Sequence, residues 1–248
     1  MNNLISVENL KFSYDAGGAF IIDGVSFKIN HGETVSIMGP NGAGKSTLLL
    51  ALVGILKDYS GSIEISGRKL KDFDEKTLYK TVNLVFQNPE NQLFCDTVEE
   101  EILFALKNLG VSKDGAVEKL NFYAASLGLE KFMKLEPQHL SFGQKKRLAL
   151  ASVMVIEPEV LMLDEPSSNL DYSSKLKLIE TLAGFKKAKI IVTQDIHFAL
   201  AVSERLIYME NGSLIYDGGF DADNLKRKCG SIYKEISDFK GLAAARGL

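Results

Sequence analysis

Gly39-Pro40-Asn41-Gly42-Ala43-Gly44-Lys45-Ser46-Thr47 decides how this chain is read. The stretch fits G-x-x-x-x-G-K-[ST], in which glycines let the backbone turn tightly enough for several amides to face one phosphate. The residues before it, Glu33-Thr34-Val35-Ser36-Ile37-Met38, predict a buried strand. Those after it, Ser46 to Val53, predict a helix apolar nearly all round, stopped by Gly54. The loop therefore opens a helix, whose amino end adds roughly half a positive charge where a phosphate would sit. Lys45 has the reach for terminal phosphates, and the Ser46 hydroxyl suits magnesium. The competing reading, a glycine turn that happens to carry a lysine, leaves the strand–loop–helix context unexplained. These residues alone predict binding of a nucleoside triphosphate.

Composition narrows what else the chain can be. Its 248 residues suffice for one large domain or two small ones. With 29 basic against 32 acidic residues there is no basic excess, so a large nucleic-acid surface is not expected. Cys95 and Cys229 lie far apart, which argues against a disulfide framework or a thiolate metal site and for a reducing compartment. Met1-Asn2-Asn3-Leu4 lacks a basic start followed by an apolar core, so no signal peptide is expected. No apolar run approaches the ~18 residues needed to cross a bilayer. Any membrane role is expected to come through a partner.

Working outward, Leu4–Phe12 and Phe20–Ile29 predict two early strands, with Asp23-Gly24 as a turn or bulge in the second. Short strands follow at 62–65 and 68–70, then another at Thr81–Phe86, ending in Gln87-Asn88-Pro89. The middle changes character. Thr97–Leu109 predicts an amphipathic helix with a Thr97/Glu100 capping box, a second helix runs from about Gly115 to Leu127, and Ser141 caps a third reaching Ile156. Strands at Glu159–Leu163 and Lys189–Thr193 flank a helix at Ser173–Phe185. A short helix at Phe198–Val202 and strands at 206–209 and 214–216 complete the pattern. The expected class is α/β: a P-loop NTPase core with a mainly parallel sheet, an antiparallel β portion and an inserted helical subdomain at about 90–156. The expected division is an ATPase domain over 1–218 and a short extension over 219–248.

Two further stretches bear on chemistry. Val160-Leu161-Met162-Leu163 forms a buried strand that delivers Asp164 and Glu165 at its carboxyl end, where α/β ligand sites lie. Asp164 suits the magnesium side and Glu165 can polarise an attacking water. Leu140-Ser141-Phe142-Gly143-Gln144 presents a hydroxyl and free amides at a helix start, another phosphate anchor. Lys145, Lys146 and Arg147 crowd that positive helix end against the dipole preference. This fits a site for anionic phosphates, with a solvated basic face as the competing reading.

With these motifs in order, the chain resembles the ATP-binding-cassette ATPases across about residues 4–218. Leu140–Gln144 looks like that family's L-S-G-G-Q signature, Gln87 like the glutamine that contacts magnesium and links to a membrane partner, and Ser168-Asn169-Leu170-Asp171 like the loop that crosses the dimer interface. Tyr14 falls where members stack an aromatic on adenine; an ordinary strand-end tyrosine is the alternative. Phe86-Gln87-Asn88-Pro89-Glu90-Asn91-Gln92-Leu93-Phe94 followed by Thr97-Val98-Glu99-Glu100 is similar to the energy-coupling-factor branch, whose ATPases drive uptake of vitamins or of cobalt and nickel. The short carboxyl end leans toward the metal and biotin systems.

The resemblance implies ATP and Mg2+ as ligands. It also implies a second copy or a paralogous ATPase subunit as partner, an integral membrane transporter subunit, and a place on the cytoplasmic face of the cell membrane. Each nucleotide would lie between Lys45 of one chain and Ser141, Gly143 and Gln144 of the other, with Asp171 at the same interface. Gln92-Leu93-Phe94 supplies apolar residues for the membrane partner.

Two residues depart from the pattern. Gln194 stands where the family carries a histidine, and an amide donates a hydrogen bond without carrying charge. Phe142 replaces a signature glycine and adds bulk near the other chain's phosphate. Together they predict hydrolysis that is slow or reliant on a partner. His197 begins the next helix and is not expected to substitute; His31 and His139 are expected to be bystanders. The alternatives are a soluble cassette ATPase acting on ribosomes or DNA, which usually carries two cassettes or a coiled-coil insertion, and a metabolic kinase, which has no use for Ser141–Gln144.

Overall fold

The computed structural model describes residues 3–15 and 17–221, together with 225–227, 229, 230, 232 and 234. Two sheets organise them. β1 (Ile5–Phe12), β2 (Ile22–Ile29), β4 (Ser60–Ile65) and β5 (Arg68–Lys69) form an antiparallel sheet in the order β2-β1-β4-β5. The second sheet has the order β10-β9-β3-β8-β7-β6. Its strands are β3 (Thr34–Met38), β6 (Val82–Val85), β7 (Val160–Asp164), β8 (Ala188–Val192), β9 (Arg205–Glu210) and β10 (Ser213–Gly219). All its pairings are parallel except β9 with β10.

The apolar runs in the parallel strands follow from burial on both faces. In β7, Val160 and Met162 join a core with Val35, Ile37 and Leu48, Leu49 and Leu52 of helix α1 (Lys45–Leu52). Leu161 and Leu163 point the other way, into a core with α3 (Val98–Leu109), α4 (Lys113–Ser126) and α5 (Phe142–Met154). The helices of the middle segment thus share their core with one face of the sheet. Helices α6 (Tyr172–Gly184) and α7 (Ile196–Val202) complete the α/β alternation. The stretch 219–248, expected to be a short extension, lies largely outside the described residues, but Leu225, Cys229 and Ile232 are buried with Met38, Ile196 and Tyr208.

Some expectations shift. Helix α2 (Glu75–Thr81) was not anticipated: it buries none of its residues, so no apolar stripe marks it, and Asp74 caps it by accepting from the Thr77 N–H at 2.8 Å. The second strand starts at Ile22 rather than Phe20, and the bulge expected at Asp23-Gly24 is present as a register shift in the β1–β2 pairing. Capped by Ser112, α4 begins at Lys113, two residues before the expected start, and Asp195 caps α7. Of the box expected at Thr97 the structure has the half in which Thr97 Oγ1 accepts from the Glu100 N–H at 3.2 Å.

Candidate active site

Four neighbouring parallel strands, β3, β8, β7 and β6, release their chains at the same edge of the sheet. Residues 39–47 follow β3, Gln194 follows β8, Asp164 ends β7 with Glu165 just beyond it, and Gln87 follows β6 as an exposed loop residue. The carboxyl edge of such a sheet is where α/β folds bind ligands.

The loop after β3 tolerates no side chain at two of its glycines. At Gly39 (φ 148) a Cβ would stand 1.9 Å from the Met209 carbonyl oxygen, and at Gly44 (φ 92) 2.4 Å from that of Ile21. Gly44 opens α1 with no side-chain cap and no acidic residue in the first turn, so the helix end keeps its positive character. Lys45 is buried, and its Nζ donates to the carbonyls of Gly39 (2.7 Å) and Pro40 (2.8 Å) of the same loop. Burial lowers its pKa, opposed by the charges of Glu165 and Asp164. Tyr14 stands beside this loop: its hydroxyl lies 3.3 Å from Thr47 Oγ1 and its ring, 61% exposed, meets Phe12 edge-on.

Asp164 and Glu165 each hold a buried oxygen, Oδ1 and Oε1, with no hydrogen-bond partner. Burial raises the Asp164 pKa against a hydrogen bond from Ser46 and the charges of Lys45 and Lys146. Burial likewise raises that of Glu165, against the hydrogen bond from the Gln194 backbone. Glu165 sits at φ 47, tied by its N–H to the Val192 carbonyl (2.9 Å), and its Oε2 accepts from the Gln194 N–H at 3.3 Å. The Gln194 side chain reaches the phosphate loop, Nε2 donating to Asn41 Oδ1 at 2.5 Å. His197 lies on α7, exposed, while His31 and His139 are exposed elsewhere.

The signature stretch behaves differently. Ser141 and Gln144 close a reciprocal capping box at the start of α5, the Ser141 N–H donating to Gln144 Oε1 at 2.7 Å. Gly143 faces Leu170, and Asp171 caps α6 by accepting from the Ser174 N–H at 2.8 Å, which lowers its pKa. The hydrogen bonds of these residues are local, and none reaches the loop at 39–47.

Two expectations are corrected here. Lys145, Lys146 and Arg147 are not offered to phosphates. Lys145 pairs with Glu90 at 2.7 Å, Arg147 donates to the Leu127 carbonyl at 2.7 Å, and Lys146 is buried among carbonyls of residues 165–168. Of Gln92-Leu93-Phe94, only Phe94 faces outward. Gln92 Nε2 donates to the Ala149 carbonyl at 2.8 Å, and Leu93 packs on the helical core. Phe94, 66% exposed, meets Phe104 of α3 edge-on at 4.8 Å, a neighbour that sequence spacing did not reveal.

Comparison with known proteins places this geometry. The family profile described as ABC transporter matches residues 22–168. The energy-coupling factor transporter ATP-binding protein EcfA of Methanocaldococcus jannaschii is 38% identical over 221 residues, covering 87% of this chain and 78% of that protein. EcfA1 of Bacillus subtilis is 37% identical over 223 residues, covering 88% and 79%. Among solved structures, CbiO1 of Clostridium perfringens, described as part of the ABC transporter complex CbiONQ, superposes with a TM-score of 0.78 at 30% identity, covering 96% of this chain and 100% of that one. A dimeric ATP-binding cassette in a post-hydrolysis state with ADP and phosphate gives 0.79 at 28% identity, covering 88% and 99%. A loop that admits no side chain at Gly39 and Gly44, two under-satisfied carboxylates at the end of a strand two places away in the same sheet and likeness over most of the chain have one common account: this chain belongs to the ABC transporter family, as an ATPase.

Proposed function

We propose that this chain is the ATP-hydrolysing subunit of a membrane importer of the energy-coupling-factor type, one of two cassettes that close around ATP. Residues 1–218 form its ATPase domain, with the helices of 90–156 inserted, and 219–248 form a short extension. One observation carries the catalytic part: Asp164 Oδ1 and Glu165 Oε1 are buried without partners, beside Ser46 and Lys45. Such oxygens are costly to keep unless a cation or a proton donor completes them.

That chemistry fits Mg2+. Among the described residues no group of three or more His, Cys, Asp or Glu could hold a metal alone. Mg2+ characteristically takes one or two protein oxygens and completes its shell with water and substrate phosphates. Ser46 and Asp164 would hold it, with Gln87 approaching from the neighbouring strand, and when bound it would offset phosphate charge. The loop Gly39-Pro40-Asn41-Gly42-Ala43-Gly44-Lys45-Ser46-Thr47 grips the phosphates through Lys45 and its free amides, the Ala43 N–H donating instead to the Pro40 carbonyl at 3.2 Å, and the exposed face of Tyr14 stacks on adenine. Glu165 Oε1 orients the attacking water and accepts its proton, and its raised pKa moves it toward working pH. Gln194 donates a hydrogen bond but stays neutral, which makes turnover slow or dependent on a partner.

Ser141, Gly143, Gln144 and Asp171 serve the nucleotide of the opposing copy or of a paralogous subunit. Two observations support this: their local bonding within one chain, and likeness to a cassette solved as a dimer. The exposed Phe94–Phe104 pair is the docking surface for the membrane subunit. Among the described residues no helix is long and apolar enough to cross a membrane, so attachment to the cytoplasmic face runs through that subunit. Likeness to EcfA and CbiO1 supports the energy-coupling-factor type, and the resemblance to that branch implies cobalt, nickel or a vitamin as cargo. Affinity purification of the full chain from membranes tests the assignment: a multispanning subunit should come with it. Recovery with ribosomes or DNA and no membrane protein would overturn it.

A further inference from the structure

Lys146 lies on the covered side of α5, and its ammonium is spent within the chain. Nζ donates to the carbonyls of Glu165 (2.9 Å), Pro166 (3.2 Å) and Ser168 (2.8 Å), and to Ser168 Oγ at 2.8 Å. That hydroxyl in turn donates to the Glu165 carbonyl at 2.8 Å, so Lys146 and Ser168 grip the same backbone from two sides. The Phe142 ring, one helical turn earlier, lies 5.6 Å from Nζ and shields it. Burial pushes the Lys146 pKa down to about 8 against the charges of Glu165 and Asp164. If α5 needed only to be packed against this loop, an apolar side chain would do so without desolvating a charge.

What the lysine holds explains the expense. Glu165 stands at φ 47, a conformation that a residue with a side chain keeps only when its surroundings impose it. β7 ends at Asp164, and the tie from the Glu165 N–H to Val192 fixes only the first peptide beyond it. We infer that Lys146 is a positioning residue: from α5 it fixes the backbone of Glu165–Ser168 and so aims the Glu165 carboxylate at the phosphate loop. The inference rests on reading Glu165 as the group that activates water. It also makes the Glu165 loop follow α5 whenever that helix shifts against the sheet, and it gives Phe142 a role as cover for the clamp.

The test uses the full-length chain with ATP and MgCl2. In Lys146→Met, kcat should fall about tenfold or more while the ATP dissociation constant stays within about threefold, because sub-ångström misplacement of a reacting group costs rate and not phosphate contacts. Without nucleotide, amide exchange of residues 165–169 should quicken while exchange in β3 and β8 does not. In a double-mutant cycle with Ser168→Ala, the losses in kcat should be markedly less than additive, since both side chains grip one backbone. A kcat within about twofold of the parent, unchanged exchange at 165–169, or ATP affinity falling in step with kcat each overturns the inference. If Lys146→Met does not fold, Ser168→Ala decides: reduced kcat with unchanged affinity supports the clamp, and unchanged kcat overturns it. Glu165→Gln separates the two readings. Turnover retained there removes the role of Glu165 itself; turnover lost there but normal in Lys146→Met removes only the positioning.

Discussion

Replacing Glu165 by Gln strikes the site at its least compensated atom. The amide keeps the shape and an acceptor for the Gln194 N–H, which is 3.3 Å from Oε2, but it cannot take a proton. A positioned general base is worth about 10²–10⁴-fold in rate. At about 1.36 kcal/mol per decade, the barrier should rise by about 3–5 kcal/mol. ATP affinity should hold, because the phosphate contacts come from Lys45 and the loop around it. Stability should move the opposite way. Burial holds the Glu165 pKa above its ordinary value, so in the interval above that value the folded chain binds more protons than the unfolded one. Its contribution therefore falls as pH climbs from about 4.3 through the folded pKa. Above that interval a buried carboxylate is charged and short of a partner, whereas a buried amide is cheaper. The variant should melt higher than the parent at neutral pH, and the gap should close below about pH 4. Phosphate release, ATP retained on a filter, and melting followed across pH measure the three effects. Turnover within about tenfold of the parent, or a lower neutral melting temperature, would refute the reasoning.

Further tests address other parts of the molecule. Gly44→Ala combines a positive φ, about 1–2 kcal/mol, with a backbone clash worth about 1–3 kcal/mol, and should lower melting by about 4–20 °C and abolish ATP binding. Normal ATP binding in this variant would show that the loop can open. Gln194→His restores a side chain able to carry charge beside Asn41 and should raise kcat; an unchanged rate would remove Gln194 as the reason for slow turnover. Phe94→Ser with Phe104→Ser removes the exposed aromatic pair. It should abolish co-purification with the membrane subunit while leaving the ATPase rate of the isolated chain within about twofold, and retained association would place the docking surface elsewhere.

Much of the fold could be read from local patterns. Apolar runs of four or five residues ending in chemistry, as in Val160–Asp164, announce strands covered on both faces, and Ser141 announces the start of α5, whereas the caps at Ser112, Asp171 and Asp195 emerge only in the structure. Glu75–Thr81 could not be read this way, because a helix that buries nothing carries no periodic apolar signal.

At the site the division falls between residue type and residue partner. The amino-acid order alone determined that phosphate-binding glycines, a lysine, a hydroxyl and two acidic residues end strands of one α/β sheet, since motif spacing is a local property of the chain. Only the tertiary structure decided that Gln194 lies against both Asn41 and Glu165, that Gln92 is committed to α5, and that Lys146 belongs to the loop after β7 rather than to a ligand. Those contacts join residues from 19 to 153 positions apart. A charge on a helix reads the same in sequence whether it faces water or three buried carbonyls; only packing, which sets what lies within hydrogen-bond reach, tells the two apart.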